Sequence, residues 1–128
     1  MDHINHPKHY NSQPIETIEI TQMYMGNISN VIKYVWRCEL KDTKLDNLQK
    51  ALVYLRKEIQ RMQNINIAKR YKANPELYDL PTNYKDLNLT FCENIDKILN
   101  LLYPSYTHKD LLKIEKLLIE EINNCKNE

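Results

Sequence analysis

The chain has 128 residues and a mass of 15.4 kDa, enough for one compact domain with an appendage and too few for two ordinary ones. Gly26 is its single glycine, whereas a Walker A loop needs two and a dinucleotide-binding turn three, so both standard phosphate-cradling loops are excluded and glycine-rich hairpins are scarce. The net charge of +1 hides an asymmetry: residues 1–72 hold 12 Lys and Arg against 7 acids, residues 73–128 hold 6 against 10, and the two parts carry +5 and −4. A basic first part suits an anionic partner, and equally a solvated helix face.

In chain order, the polar, His-rich stretch 1–13 contains Pro7 and precedes Pro14, which reads as an extended arm. A first helix is expected from about Pro14, although the β-branched run Ile15 to Thr21 also admits a short strand. Gly26 is expected to stop it in a left-handed cap, with Asn27 or Ser29 capping the second helix. That helix is expected to reach about Leu40, with Ile28, Val31, Ile32, Val35 and Trp36 inward and Asn30, Lys33, Tyr34, Arg37 and Lys41 in a column on the other side. Thr43-Lys44-Leu45-Asp46 has the form of a capping box, and Leu45, Leu48, Leu52, Leu55, Ile59 and Met62 make the seam of a long third helix. On this reading Leu52→Ala costs about 2–5 kcal/mol. The remaining surface of this helix is basic, from Lys50 through Arg56, Lys57 and Arg61 to Lys69, Arg70 and Lys72.

From Ala73 to about Asn88, Pro75, Pro81, Tyr78 and Tyr84 suggest a connecting loop pinned by aromatics. A fourth helix follows, with Cys92, Ile95, Leu99 and Leu102 on one face and an end at Pro104. Thr107 to Asp110 caps a fifth, whose Leu111, Ile114, Leu118 and Ile122 form the matching face of an antiparallel hairpin. The expected fold is thus all-α: a short N-terminal arm, a three-helix motif with a long third helix, and a C-terminal helical hairpin. Residues 1–72 would form the motif-bearing domain and 73–128 the linker and hairpin. Cys38, Cys92 and Cys125 lack the spacing of a zinc site or disulfide framework, the opening MDHINHPKHY lacks a signal peptide's apolar core, and the uncharged run Ile20 to Ile32 is too short and polar to span a bilayer. A soluble cytoplasmic protein without a membrane partner is expected.

Three constellations could carry chemistry. The imidazoles of His3, His6 and His9 are evenly spaced ahead of Tyr10, but Pro7 opposes the helix that would align them on a metal, so an arm offering hydrogen bonds or stacking to a nucleotide is the better reading beside a plain structural arm. In the column of the second helix, Arg37 can grip a phosphate with two parallel hydrogen bonds while Lys33 adds a point charge one turn earlier. A small anionic ligand fits this better than long nucleic acid, for which +5 over 72 residues is weak. Lastly, Glu16 and Glu19, with Glu39 and Asp42, are similar to the magnesium cage of helical nucleoside triphosphate pyrophosphohydrolases, though surface acids share this spacing.

As a set, His6-Pro7-x-His9-Tyr10-Asn11, Ile15-Glu16-x-Ile18-Glu19, Asn30-x-Ile32-Lys33-Tyr34-x-x-Arg37, Asp42 and Asp46-x-Leu48-x-Lys50-Ala51-x-x-Tyr54-Leu55 resemble the SaV-like family of small bacteriophage proteins over about residues 3–60. That family includes a coliphage nucleotide kinase without a Walker loop. The resemblance implies a phage or prophage protein acting in the bacterial host cytoplasm, with His6, His9, Tyr10, Lys33 and Arg37 contacting a nucleotide, and Tyr34 joins this candidate set from the column of the second helix. Gln13 and Pro14 stand where the family usually has glycine and lysine, and Glu39 where it usually has glycine. Two functions of different class are compatible with these residues: a kinase-like phosphoryl transferase or pyrophosphohydrolase requiring magnesium, and a non-catalytic protein that sequesters a nucleotide or cyclic nucleotide used as an immune signal. A site built from an arm and one helix is shallow for so small a chain, so a homo-oligomer is expected to complete it.

Overall fold

The computed structural model describes residues 13–39, 43–64 and 70–127. The described chain is mainly helical, with α1 at Thr17–Thr21, α2 at Gly26–Arg37, α3 at Lys44–Asn64, α4 at Glu93–Leu102 and α5 at His108–Lys126. None of the described helices is long and apolar enough to cross a membrane.

Within the Ile15–Thr21 run, Thr17–Thr21 is helical and Glu16 is its extended N-cap, so the helix starts three residues after Pro14. Glu19 fixes its start, because its carboxylate accepts the Glu16 N–H at 2.8 Å. The break that follows does not depend on a left-handed glycine. Gly26 is the first residue of α2, has no positive φ, and follows an extended Met25 that supplies no side-chain cap; neither Asn27 nor Ser29 caps the helix. The turn is held instead by burial of Met23 and Tyr24, the latter donating its hydroxyl to the Leu102 carbonyl at 2.6 Å. With tertiary anchors on the connecting residues, the backbone reverses without the special φ that glycine supplies. Left-handed residues occur elsewhere, at Asp79 (φ 55°) and Asn88 (φ 56°), which end the short 3-10 turns Pro75–Tyr78 and Tyr84–Leu87.

Helix α2 buries Ile28, Val31, Ile32, Val35 and Trp36 as its periodicity predicts, but ends at Arg37 with Cys38 as C-cap, short of Leu40. In α3 the Asp46 N–H reaches the Thr43 hydroxyl at 3.4 Å, and Leu48, Leu55, Ile59 and Met62 are buried as expected. The seam is nonetheless rotated. Leu45 and Leu52 are only partly buried, while Asn47, Ala51 and Glu58 are enclosed. The reason is that α3 packs against α2 and α5 together, so a broad arc is covered, and Ala51 is small enough for close approach at its centre.

Beyond α3, Tyr71–Lys72 (β1) pairs antiparallel with Ser105–Tyr106 (β2), Tyr71 facing Tyr106, where the sequence extends the basic surface of the third helix as far as Lys72. The rings of Tyr24, Tyr71 and Tyr106 gather at this bridge, with centroids 5.3–6.4 Å apart. Of the two tyrosines expected to pin the 73–88 loop, Tyr84 does so, donating to Asp96 at 2.6 Å from a buried position, and Tyr78 remains exposed. Gln13 is tied to the same region, its amide exchanging two 2.9 Å hydrogen bonds with the Thr90 backbone. The Thr107–Asp110 capping box forms as expected, and Leu111, Ile114, Leu118 and Ile122 are buried against the rest of the bundle. Residues on both sides of position 72 share a single hydrophobic core, so the change in composition there is not a gap in packing.

Candidate ligand site

The cationic column of α2 does not stand alone, because α3 lies alongside and adds to it. Lys50, Tyr54 and Lys57, at intervals of four and three, occupy the α3 face next to Lys33 and Tyr34. Tyr34 and Tyr54 stack across the two helices with ring centroids 6.0 Å apart and an interplanar angle of 14°. The ammonium groups of Lys33 and Lys50 lie 5.8 and 5.6 Å from the Tyr34 centroid, and that of Lys57 lies 5.2 Å from Tyr54. These distances are within cation–π range. All three lysines are exposed, while both tyrosines are partly buried.

One turn beyond Lys33 and Tyr34 comes Arg37. It is partly buried, and its Nε is enclosed without a hydrogen-bond partner among the described residues. An enclosed donor in this state is costly, and an anion that reached it would recover the lost bond. Trp36 Nε1 is likewise unpaired, but that ring lies in the core with its edge against Phe91. The tyrosine rings are too close to admit a base between them, since two stacking gaps of about 3.5 Å require roughly 7 Å. A planar ligand would therefore lie on an outer ring face, displacing one lysine towards its phosphate.

Residues 4–56 match a family model. Its description is a protein of unknown function, DUF3310. The matched stretch contains Lys33, Tyr34, Arg37, Lys50 and Tyr54, and stops before Lys57. The chain matches no curated protein and no solved structure.

The other expected site residues are distributed as follows. His6, His9, Tyr10 and Asp42 lie outside the described residues, as do His3 and Lys41. Glu16 and Glu19 are at the start of α1, where the Glu19 carboxylate is engaged by the Glu16 N–H. Glu39 lies 3.3 Å from the Lys44 ammonium. Among the described residues no three His, Cys, Asp or Glu side chains gather where a metal ion could sit, and Asp42, the fourth carboxylate of the expected set, lies outside them.

Glu39 is part of a polar network around the start of α3. Lys44, at the start of α3, reaches Glu121 of α5 at 2.7 Å as well as Glu39. Glu121 also accepts from Asn94 at 2.9 Å, and the Cys92 thiol lies 3.9 Å away. Burial works against the Glu121 charge, yet the hydrogen bonds from Lys44 and Asn94 outweigh it and hold the carboxyl below its ordinary value. Burial, followed by the neighbouring Glu39, pushes the Cys38 thiol up to about 12. Burial and a hydrogen bond with Glu39 push Cys92 up to about 11, so both thiols are poor nucleophiles.

Tyr54, Lys50 and Lys57 are the residues that reading α2 alone misses. Their signal was available in the spacing 50, 54, 57, which puts two cations and a phenol on one face of α3. What the spacing does not show is that this face adjoins the α2 column.

Proposed function

We propose that the α2–α3 face binds a nucleotide or a related phosphorylated small molecule. The observation that carries this reading is the Tyr34–Tyr54 stack with Lys33, Lys50 and Lys57 on its rings, one helical turn from the unpaired Nε of Arg37. A phosphate would take Arg37 and the ammonium groups, and a base would take the exposed ring face. The resemblance to SaV-like phage proteins supports a nucleotide over other anions and brings His6, His9 and Tyr10 into the proposed site, and the shallowness of a one-helix site is the reason to propose a second subunit.

Capture without turnover is the form favoured here, because the carboxylates of Glu19 and Glu39, two of the four in the pyrophosphohydrolase-like set, have partners within the chain. On this reading a phage protein would sequester a nucleotide signal of the host. Kinase-like phosphoryl transfer or pyrophosphate hydrolysis is the competing outcome.

Isothermal calorimetry of the full chain with mono-, di-, tri- and cyclic nucleotides tests the proposal. Arg37→Ala should weaken binding by roughly 10- to 100-fold and flatten its salt dependence, since a hydrogen bond to a charged group contributes about 1.5–3 kcal/mol. Tyr34→Leu should weaken it while leaving the salt dependence intact. Heats absent for every nucleotide would refute the reading, and product formed with magnesium would move it from capture to catalysis.

A further inference from the structure

A second surface, separate from the tyrosine–lysine face, lies between α4 and α5. It is an open groove of about 430 Å³ with Leu101 and Leu117 on its floor and Lys97, Lys113 and Lys116 on its rim. Each helix supplies a lysine one turn before its leucine, Lys97 before Leu101 and Lys113 before Leu117, so an apolar floor is flanked by cations from both sides.

The charge here runs against its surroundings. Residues 73–128 hold 6 lysines and 10 acids, yet three of those lysines line this one groove beside a single acid, Glu120. Lys97 has an exposed pairing with Glu93 at 3.7 Å, which is of little energetic weight. Lys113 and Lys116 have no ion pair among the described residues, although Asp and Glu outnumber Lys in this half of the chain. Ammonium groups kept from neutralisation beside half-buried leucines are complementary to a ligand that brings both carboxylates and an apolar edge.

We infer that the α4–α5 groove docks an acidic amphipathic helix of a partner protein, its large apolar side chains on Leu101 and Leu117 and its Asp or Glu residues against Lys97, Lys113 and Lys116. A helix is favoured over a small molecule because the groove is open rather than enclosed, whereas small-ligand sites enclose most of their ligand. Two adjacent helices also present the ridges on which a third packs. A membrane surface is disfavoured because the leucines are recessed between the helices rather than projecting past the lysines.

The test uses the full chain and a labelled helix-forming peptide of roughly 14 residues, with Leu on one stripe and Glu beside it. A scrambled peptide of the same composition and a Lys-for-Glu version serve as controls. Fluorescence anisotropy should show binding of the Glu peptide alone, weakened by added salt and weakened about tenfold or more by Lys113→Glu with Lys116→Glu. Both lysines are exposed, so the double variant should keep its helical circular dichroism and its response to nucleotide. Amide chemical shifts should move in α4 and α5. Equal binding of the scrambled peptide, an unaffected double variant, or shifts confined to α2 and α3 would overturn the inference. Charge-dependent sedimentation with phosphatidylglycerol vesicles, in place of peptide binding, would overturn it in favour of a membrane.

Discussion

Replacing Lys44 by methionine tests the network that joins the start of α3 to α4 and α5. The ammonium lies 2.7 Å from Glu121 and 3.3 Å from Glu39, with 28% of the Lys44 side chain and 10% of the Glu121 side chain exposed. Breaking a fully buried pair costs about 3–5 kcal/mol and an exposed pair about 0–1 kcal/mol. This pair lies between those limits, and Asn94 still donates to Glu121 after the change, so Lys44→Met should cost about 2 kcal/mol. With a urea m-value of about 1.5 kcal/mol per molar, the unfolding midpoint should fall by about 1.3 M at unchanged m. Glu121→Gln supplies the other edge of a double-mutant cycle, whose coupling should be about 1–2 kcal/mol. Acid should remove the same stabilisation. The folded Glu121 carboxyl titrates below its ordinary value of 4.5, so the contribution is complete above that value and is lost as pH falls through the lowered one. The difference between wild type and Lys44→Met should therefore shrink in acid. A midpoint shift under about 0.3 M at neutral pH, or a coupling near zero, would refute the assignment of Lys44 and Glu121 as a stabilising pair.

Other expected outcomes test the packing and the turns. Leu55→Ala should cost about 2–5 kcal/mol and Leu52→Ala clearly less, because Leu55 is fully buried while Leu52 is only partly buried; equal losses in urea unfolding would contradict the rotated seam. Gly26→Ala should raise stability by about 0.4–1 kcal/mol, since the residue is helical without a positive φ and a Cβ there meets nothing within 4 Å; a fall in Tm would restore the left-handed cap. Cys38 should resist alkylation at pH 8 until the protein unfolds, as its buried thiol is pushed up to about 12, and rapid labelling in the native state would show otherwise. Glu58→Gln should lower stability and flatten the acid limb of the pH profile. Burial opposes the Glu58 charge, but Arg61 at 2.6 and 2.8 Å, with Asn27, holds its carboxyl down, so its contribution is present above the ordinary range and lost as pH falls.

Local features were legible in the amino acids because their physics acts within a few residues. The mainly α-helical character, the inward set of α2, the bond from the Asp46 N–H to the Thr43 hydroxyl, the capping box at Thr107 and the apolar face of α5 follow from 3.6-residue periodicity and from side chains that bond to backbone three positions away. The single glycine likewise excluded the Walker A and dinucleotide-binding loops.

Features set by long-range contact were not legible. Periodicity places Leu52 on the α3 seam, but which 100° of a helix is covered depends on where α2 and α5 press, and that arc centres on Ala51. Gly26 has the composition of a helix stop, yet the turn is held by Tyr24, whose hydroxyl reaches Leu102 across 78 positions. Nothing in the spacing of Glu39 shows that Lys44 is brought to it, or that Lys44 also reaches Glu121. The site itself divides in the same way: the sequence places a cation column on α2 and another on α3, and only their side-by-side packing, driven by burial of the opposite faces, stacks Tyr34 on Tyr54 and collects three lysines around one pair of rings.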